Sequence, residues 1–226
     1  MIGILILAGG RGSRLGSITK DIPKPMISIK KKIFLEYLFD FLIKNNFKNV
    51  FVSVGYKKEI IKDYFKDKYK SLNIKYIAET KPLGTGGAIY HSLKFINNKK
   101  ILIINGDTFF NFNLKTFIKK NIKSKNSIIV CRKSILSKRY GNIEIDQNNF
   151  INSFIEKKKI NKKSIINGGY YFFKRSDLLK IKYYFSFEKF LQENFKKIHI
   201  KCFLSSAKFI DIGIKKDLIR SSKIIK

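Results

Sequence analysis

The chain has 226 residues, 44% hydrophobic and 14% aromatic, and carries 48 Lys and Arg against 16 Asp and Glu, a formal net charge of +32. That length buries a core without cross-links, and the expectation is one domain over 1–226. The apolar content excludes a disordered basic tail, and apolar residues grouped in short runs exclude collagen and coiled coil.

Residues 2–8 are an unbroken apolar run, as in a strand buried on both faces. The run lacks a basic leader and passes straight into Gly9-Gly10-Arg11-Gly12, so it reads as a strand and not a signal segment. Apolar residues at helical spacing predict a helix over 33–45. A strand over 50–54, a helix over 57–66, a strand over 74–78, a helix over 85–96 and a strand over 101–104 follow. This alternation predicts a mainly parallel sheet with crossover helices, whose ligands bind beyond the carboxyl ends of the strands. The second half predicts strands at 127–131, 141–145, 151–155 and 165–173, then a helix over 186–195. Strands at 198–204 and 208–212 and a helix over 215–223 complete the chain. No segment approaches 18 apolar residues, so no membrane partner is expected and a cytoplasmic location is. No hexapeptide repeat is present, so no appended β-helix is expected. Cys131 and Cys202 lack metal-ligand spacing and read as small buried hydrophobes.

Chemistry concentrates in the loops. Three glycines in four positions after the first strand let backbone N–H groups approach an anion, and Arg11 and Arg14 add positive charge there. The loop is neither a dinucleotide fingerprint nor a P-loop: Leu15 stands where the third glycine of the former belongs, and no Gly-Lys-Ser/Thr closes it. In Asp21-Ile-Pro-Lys-Pro-Met26 two prolines bar Lys24 from a helix and fix its backbone, which reads as a plain loop or as a lysine held for a phosphoryl group. Gly84, Gly86 and Gly87 at the mouth of the 85–96 helix read as a second close-approach site. Asp107 and Asp211 each end an apolar strand. The pair suits one Mg²⁺ shared with a polyphosphate, although either alone reads equally as a turn residue or N-cap.

The charge has a duller reading than nucleic acid. Only six basic residues are Arg, leaving 42 Lys, and Ile, Asn, Phe and Tyr are also abundant. A/T-rich codons load a solvated surface with all of these, whereas nucleic-acid readers favour Arg. No nucleic-acid partner is expected.

The motifs Gly9-Gly-x-Gly-x-Arg-Leu15, Lys24-Pro-Met26, Pro82-Leu-Gly-Thr-Gly-Gly87, Gly106-Asp107, Glu156-Lys157, Asn167-Gly-Gly-Tyr170 and Asp211-Ile-Gly213 stand in the order found in sugar-1-phosphate nucleotidyltransferases. The resemblance runs from residue 2 to about 218. Within that family, Lys20–Met26, Pro82–Ala88, Asn105–Phe110 and Phe209–Gly213 are most similar to the D-glycero-α-D-manno-heptose 1-phosphate guanylyltransferases. The resemblance implies a Rossmann-like mixed, mainly parallel sheet flanked by helices, of the nucleotide-diphospho-sugar transferase type. Residues 1–125 would be its nucleotide-binding half and 126–226 its sugar-phosphate half. It implies transfer of a nucleoside monophosphate from an NTP to a sugar 1-phosphate for surface polysaccharide synthesis, by a monomer or homodimer using Mg²⁺.

By position it implies that Leu7, Ala8, Gly9, Gly10, Gly12, Pro82, Gly84 and Thr85 bind the nucleotide. Arg14 meets the β- and γ-phosphates, Lys24 neutralises the α-phosphate, and Asp107 and Asp211 hold Mg²⁺. Lys157 holds the sugar phosphate, with Gly141, Glu156, Asn167 and Gly168 at the sugar. Gly168 replaces a common Ala, implying a roomier sugar pocket. Ser186-Phe-Glu188 resembles a segment near that pocket and also reads as a helix start capped by Ser186. Tyr140, Tyr170 and Tyr171 read as stacking groups or as core.

Guanine offers two adjacent donors that one carboxylate accepts, whereas uracil and thymine suit an amide better. Glu79 stands where guanylyl-type relatives carry an acid, which favours GTP and, with the resemblance, heptose 1-phosphate. The alternatives are a solvated Glu79 and mannose- or glucose-1-phosphate with another nucleotide. A catalytically silent protein that binds nucleotide or RNA is the reading from another class.

Overall fold

The computed structural model describes residues 2–134, 142–155, 164–182 and 184–224. The first half runs β1 (Gly3–Leu7), β2 (Ser28–Ile29), β3 (Lys32–Ile33), α1 (Phe34–Lys44), β4 (Asn49–Val54), α2 (Lys58–Phe65), β5 (Lys68–Tyr69), β6 (Leu72–Ala78), α3 (Gly84–Ser92) and β7 (Lys100–Asn105). Then come β8 (Thr108–Phe110), α4 (Leu114–Asn121), β9 (Ile128–Ser134), β10 (Asn142–Ile145), β11 (Ile151–Ile155) and β12 (Ser164–Lys174). The chain continues with α5 (Arg175–Leu178), α6 (Phe187–Ile198), β13 (Lys201–Ser205), β14 (Phe209–Asp211) and α7 (Lys215–Ile224).

Ten strands form one sheet in the order β11-β10-β12-β7-β1-β4-β6-β5, with β9 beside β12 and β13 beside β9. Its centre is parallel: β7, β1, β4 and β6 pair in the same direction. Because successive strand residues point to opposite faces, each apolar run feeds two cores. Ile4 and Ile6, Leu102 and Ile104, and Tyr170 and Phe172 join a core under α1, α2 and α4. Leu5, Ile101 and Ile103, and Tyr171 and Phe173 join a second core with Ile89 of α3 and Phe187, Phe190 and Leu191 of α6. Cys131 and Cys202 are buried thiols on neighbouring strands.

The strand order reverses at β1, with β4 and β6 to one side and β7 to the other. In such sheets the crevice lies at that point, beyond the strand C-termini. The long strand β12 runs antiparallel to β7 with Tyr170 opposite Ile104. A bulge between Asn167 and Tyr170 thus falls at the C-terminal end of β7.

Several elements differ from expectation. The helix predicted to end at 195 continues to Ile198, and His199 then turns left-handed at φ 53° before β13 begins at Lys201. The strand expected from 198 therefore starts three residues late. Helix α4 was not predicted, although Asn113 caps it by accepting from the Thr116 N–H at 2.9 Å. The short ladder of β14 with β8 also escaped prediction, and it is the one that places both aspartates.

Candidate active site

A cavity of about 940 Å³ opens at the C-terminal ends of β1, β4, β6 and β7. Leu7, Ala8, Gly9, Gly10 and Arg14 line one wall. Gly10 has no neighbour within 4 Å of where a Cβ would sit, so it leaves open space. A Cβ on Gly9 would lie 2.6 Å from Glu79 Oε1, so glycine here admits the carboxylate to the loop. Glu79, Pro82, Gly84 and Thr85 form the adjoining wall. The Glu79 carboxylate accepts from the Leu83 N–H at 3.1 Å and the Ser53 hydroxyl at 3.3 Å. Four of the carboxylate's lone-pair positions exist, so these two bonds orient it without saturating it.

Lys24 sits in a short turn between Pro23 and Pro25, its side chain 8% exposed. A Cβ on Gly12, which stands at φ 72°, would be 3.0 Å from the Lys24 Cβ. Gly12 therefore does not line the cavity; it lets the loop pass over the lysine stem. The Lys24 ammonium contacts Asp107 Oδ2. Burial pushes the Asp107 carboxyl up, but the Lys24 charge and hydrogen bond and the Thr108 hydroxyl outweigh it and hold the group below the usual carboxylate range.

Asp211 lies beside Asp107. In the β14–β8 ladder Asp211 is opposite Thr108, and the Ile212 N–H donates to the Asp107 carbonyl at 3.0 Å. Edge-to-face rings fasten this ladder to the sheet: Phe110 meets Phe209 at 5.4 Å, and Phe112 meets Tyr170 at 5.4 Å. Each such pair contributes about 0.5–1.5 kcal/mol beyond burial. Arg132 adds a contact over the Phe209 ring at 5.6 Å.

On the remaining wall, Asn167 accepts from the Gly169 N–H at 2.9 Å and donates to the Tyr171 hydroxyl at 2.8 Å. Tyr171 is buried, yet its hydroxyl reaches this polar corner. Burial raises that hydroxyl's pKa first, and the Glu188 charge adds to the rise.

Besides Gly12, which was expected at the nucleotide and instead packs on the Lys24 stem, two further expectations need correction. Gly168 is not part of the cavity wall: its Cβ would meet the Val130 carbonyl oxygen at 2.6 Å and the Phe110 ring at 2.8 Å. Glycine at 168 makes room for Phe110, not for a sugar. Gly84 and Gly86 answer to the chain itself. Cβ atoms there would lie 2.3 Å from the carbonyl oxygens of Phe185 and Tyr184, respectively. Gly141, Glu156, Lys157 and Tyr140 lie outside the described residues.

Sequence reasoning missed Ser53, Gly55, Tyr56, Asn105 and Phe185 on the cavity wall. Ser53, Gly55, Tyr56 and Asn105 fall at or just past the ends of parallel strands, which is the signal that locates them. Arg11 stacks over the Tyr56 ring at 5.5 Å.

Phosphate is the chemistry this wall suits: backbone amides after β1, a guanidinium, a fixed ammonium and two neighbouring carboxylates meet in one crevice. The class this defines is an α/β enzyme acting on phosphorylated nucleotides. The chain belongs to the nucleotidyl transferase family, whose profile matches residues 4–226. It is 42% identical to the D-glycero-α-D-manno-heptose 1-phosphate guanylyltransferase of Campylobacter jejuni, over 94% of this chain and 95% of that protein. The enzyme of the same name from Aneurinibacillus thermoaerophilus is 37% identical over 97% of this chain and 96% of its own length. The crystal structure of HddC from Yersinia pseudotuberculosis, 34% identical, superposes with a TM-score of 0.85 over 100% of both chains. HddC complexed with GMP-PN matches equally well. No described helix is long and apolar enough to cross a membrane.

Proposed function

We propose that this chain transfers GMP from GTP to D-glycero-α-D-manno-heptose 1-phosphate and releases pyrophosphate. The near full-length similarity to two enzymes of that name supports the reaction. The observation that carries the base is the Glu79 carboxylate, lodged against Gly9 in the cavity wall with acceptor capacity to spare.

In the reaction an oxygen of the sugar phosphate attacks the α-phosphorus of GTP. A P–O bond forms there, the α–β bridging bond breaks, and its electron pair leaves with pyrophosphate. The attacking oxygen is already ionised, so no general base is needed. Catalysis rests on positioning and on charge placed where it builds up. The Gly9–Gly10 amides and Arg14 hold the triphosphate. Lys24 neutralises the α-phosphate as it becomes five-coordinate.

Asp107 and Asp211 fit Mg²⁺. Both are hard oxygen donors on one ladder, and among the described residues no larger acidic, His or Cys cluster assembles. The Asp107 and Asp211 carboxylates would hold the ion, which when bound would supply charge neutralisation between the two anionic substrates.

Pyrophosphate release over a panel of four NTPs and several sugar 1-phosphates tests the reading. GTP with the heptose phosphate is expected to give the highest kcat/KM, and Glu79→Gln to raise the KM for GTP about tenfold. A preference for UTP, dTTP or CTP overturns the base assignment. A preference for mannose or glucose 1-phosphate overturns the sugar.

A further inference from the structure

We infer that Ser53 is the positioning residue that lets Glu79 read the 2-amino group of guanine, an assignment that rests on the proposed use of GTP. Strand β4 is apolar over 50–54 except at Ser53, which is fully buried. Its partners in register are Leu7 of β1 and Ile77 of β6. A parallel strand covered on both faces calls for an apolar side chain at such a place. A hydroxyl there loses its hydration unless a partner replaces it. Among the described residues the Ser53 hydroxyl has one hydrogen-bond partner, Glu79 Oε1 at 3.3 Å.

The alternation of the strands brings the two side chains together. Two residues beyond Ile77 the chain returns to the same face of the sheet. Glu79 stands there, its own N–H held by the Val54 carbonyl at 2.8 Å. The carboxylate is then tied at both oxygens: Oε1 takes the Ser53 hydroxyl, and Oε2 takes the Leu83 N–H at 3.1 Å. Each carboxylate oxygen offers about two acceptor positions, so one remains on each. Guanine presents N1–H and the 2-amino group side by side, and a carboxylate with one position left on each oxygen meets both. The Leu83 amide anchors one oxygen only. Without Ser53 the carboxylate plane turns about that anchor, and the second contact to guanine is lost.

The same serine joins the base wall to the phosphate loop. Its carbonyl accepts the Ala8 N–H at 2.8 Å, and three residues on the Tyr56 N–H donates to the Gly9 carbonyl at 3.1 Å. Oε1, the oxygen that Ser53 holds, is also the one that lies 2.6 Å from where a Gly9 Cβ would sit. The hydroxyl thus sets how the carboxylate rests against the loop that bears the triphosphate. Base and phosphates belong to one nucleotide, so the spacing between their two walls decides whether both are held at once.

Inosine triphosphate (ITP) lacks only the 2-amino group of GTP. With the full chain and the sugar 1-phosphate it turns over best, the wild type is expected to prefer GTP to ITP about tenfold in kcat/KM. Ser53→Ala should cut that preference to about twofold by raising KM for GTP, with the values for ITP little changed. Ser53→Cys refills the space with a weak donor and should discriminate as poorly as the alanine variant. In a Glu79→Gln background Ser53→Ala should have no further effect on the preference, because the serine acts through the carboxylate. Full preference in Ser53→Ala, recovery in Ser53→Cys, or an undiminished effect on top of Glu79→Gln overturns the assignment. So does an equal rise in KM for both nucleotides, which a general loosening of the wall would give. A wild type that uses ITP as well as GTP defeats the base reading itself, and the role of Ser53 falls with it.

Discussion

The Lys24–Asp107 pair shows how single residues set up the chemistry. Two prolines and a left-handed glycine hold the Lys24 backbone and stem, so its ammonium arrives at the end of β7 already placed. Preorganised charge costs no rearrangement as the transition state forms. Lys24→Met keeps the packed stem and deletes the charge. Turnover should fall about 10²- to 10³-fold, with circular dichroism unchanged; a near-normal rate removes Lys24 from the mechanism. Asp107→Ala should abolish turnover in a folded protein, and retained activity would unseat the metal assignment. These two residues were legible because local signals mark them: flanking prolines for one, a strand end for the other. Gly84 and Gly86 were read correctly as close-approach positions but not for what approaches. Their neighbours, Tyr184 and Phe185, stand about a hundred positions away in the chain, and nothing local announces them.

At the scale of elements, strands with both faces buried are the easiest to read, since β1 and β7 carry continuous apolar runs of the kind that parallel sheets require, and β4 over 50–54 departs only at Ser53. Short pieces are harder. The β8 strand has three residues, too few for a period to show, and although a strand over 208–212 was expected nothing local pairs it with β8, yet the β8–β14 ladder brings Asp211 next to Asp107. Their placement depends on the Phe110, Phe112, Tyr170 and Phe209 rings, a tertiary contact among segments far apart in sequence. Gly168 belongs to this cluster. Gly168→Ala would push a methyl into the Phe110 ring and the Val130 carbonyl. Overpacking of this kind costs about 1–3 kcal/mol, read by urea denaturation. Because that methyl faces the core, KM for the sugar phosphate should change little. A rise in that KM with unchanged stability would return Gly168 to the sugar pocket.

The whole molecule carries a net charge of +32, yet among the described residues the cavity accounts for few of its cations: Arg11, Arg14, Lys24 and Lys81. Lys66, Lys68, Lys119, Lys123 and Lys196 are exposed and absent from the cavity wall. Their field still reaches the solvent around an active site whose two substrates are anions. Such a field raises encounter rates and is screened over about 8 Å at physiological ionic strength. It does not enter the chemical step, where the fixed charges act. The rise from about 20 to about 500 mM KCl should therefore lower kcat/KM for both substrates and leave kcat nearly constant. Changing the five lysines together to Gln should flatten that salt dependence, again at constant kcat, with each change altering stability by at most about 0.5 kcal/mol. A fall in kcat would mean that distant lysines take part in the chemistry. RNA retained on filters at physiological salt by the wild type, and released by the five-lysine variant, would give the excess charge a polyanion partner. Without that result, lysine at these positions is a solvated surface whose effect on function is confined to the approach of phosphates.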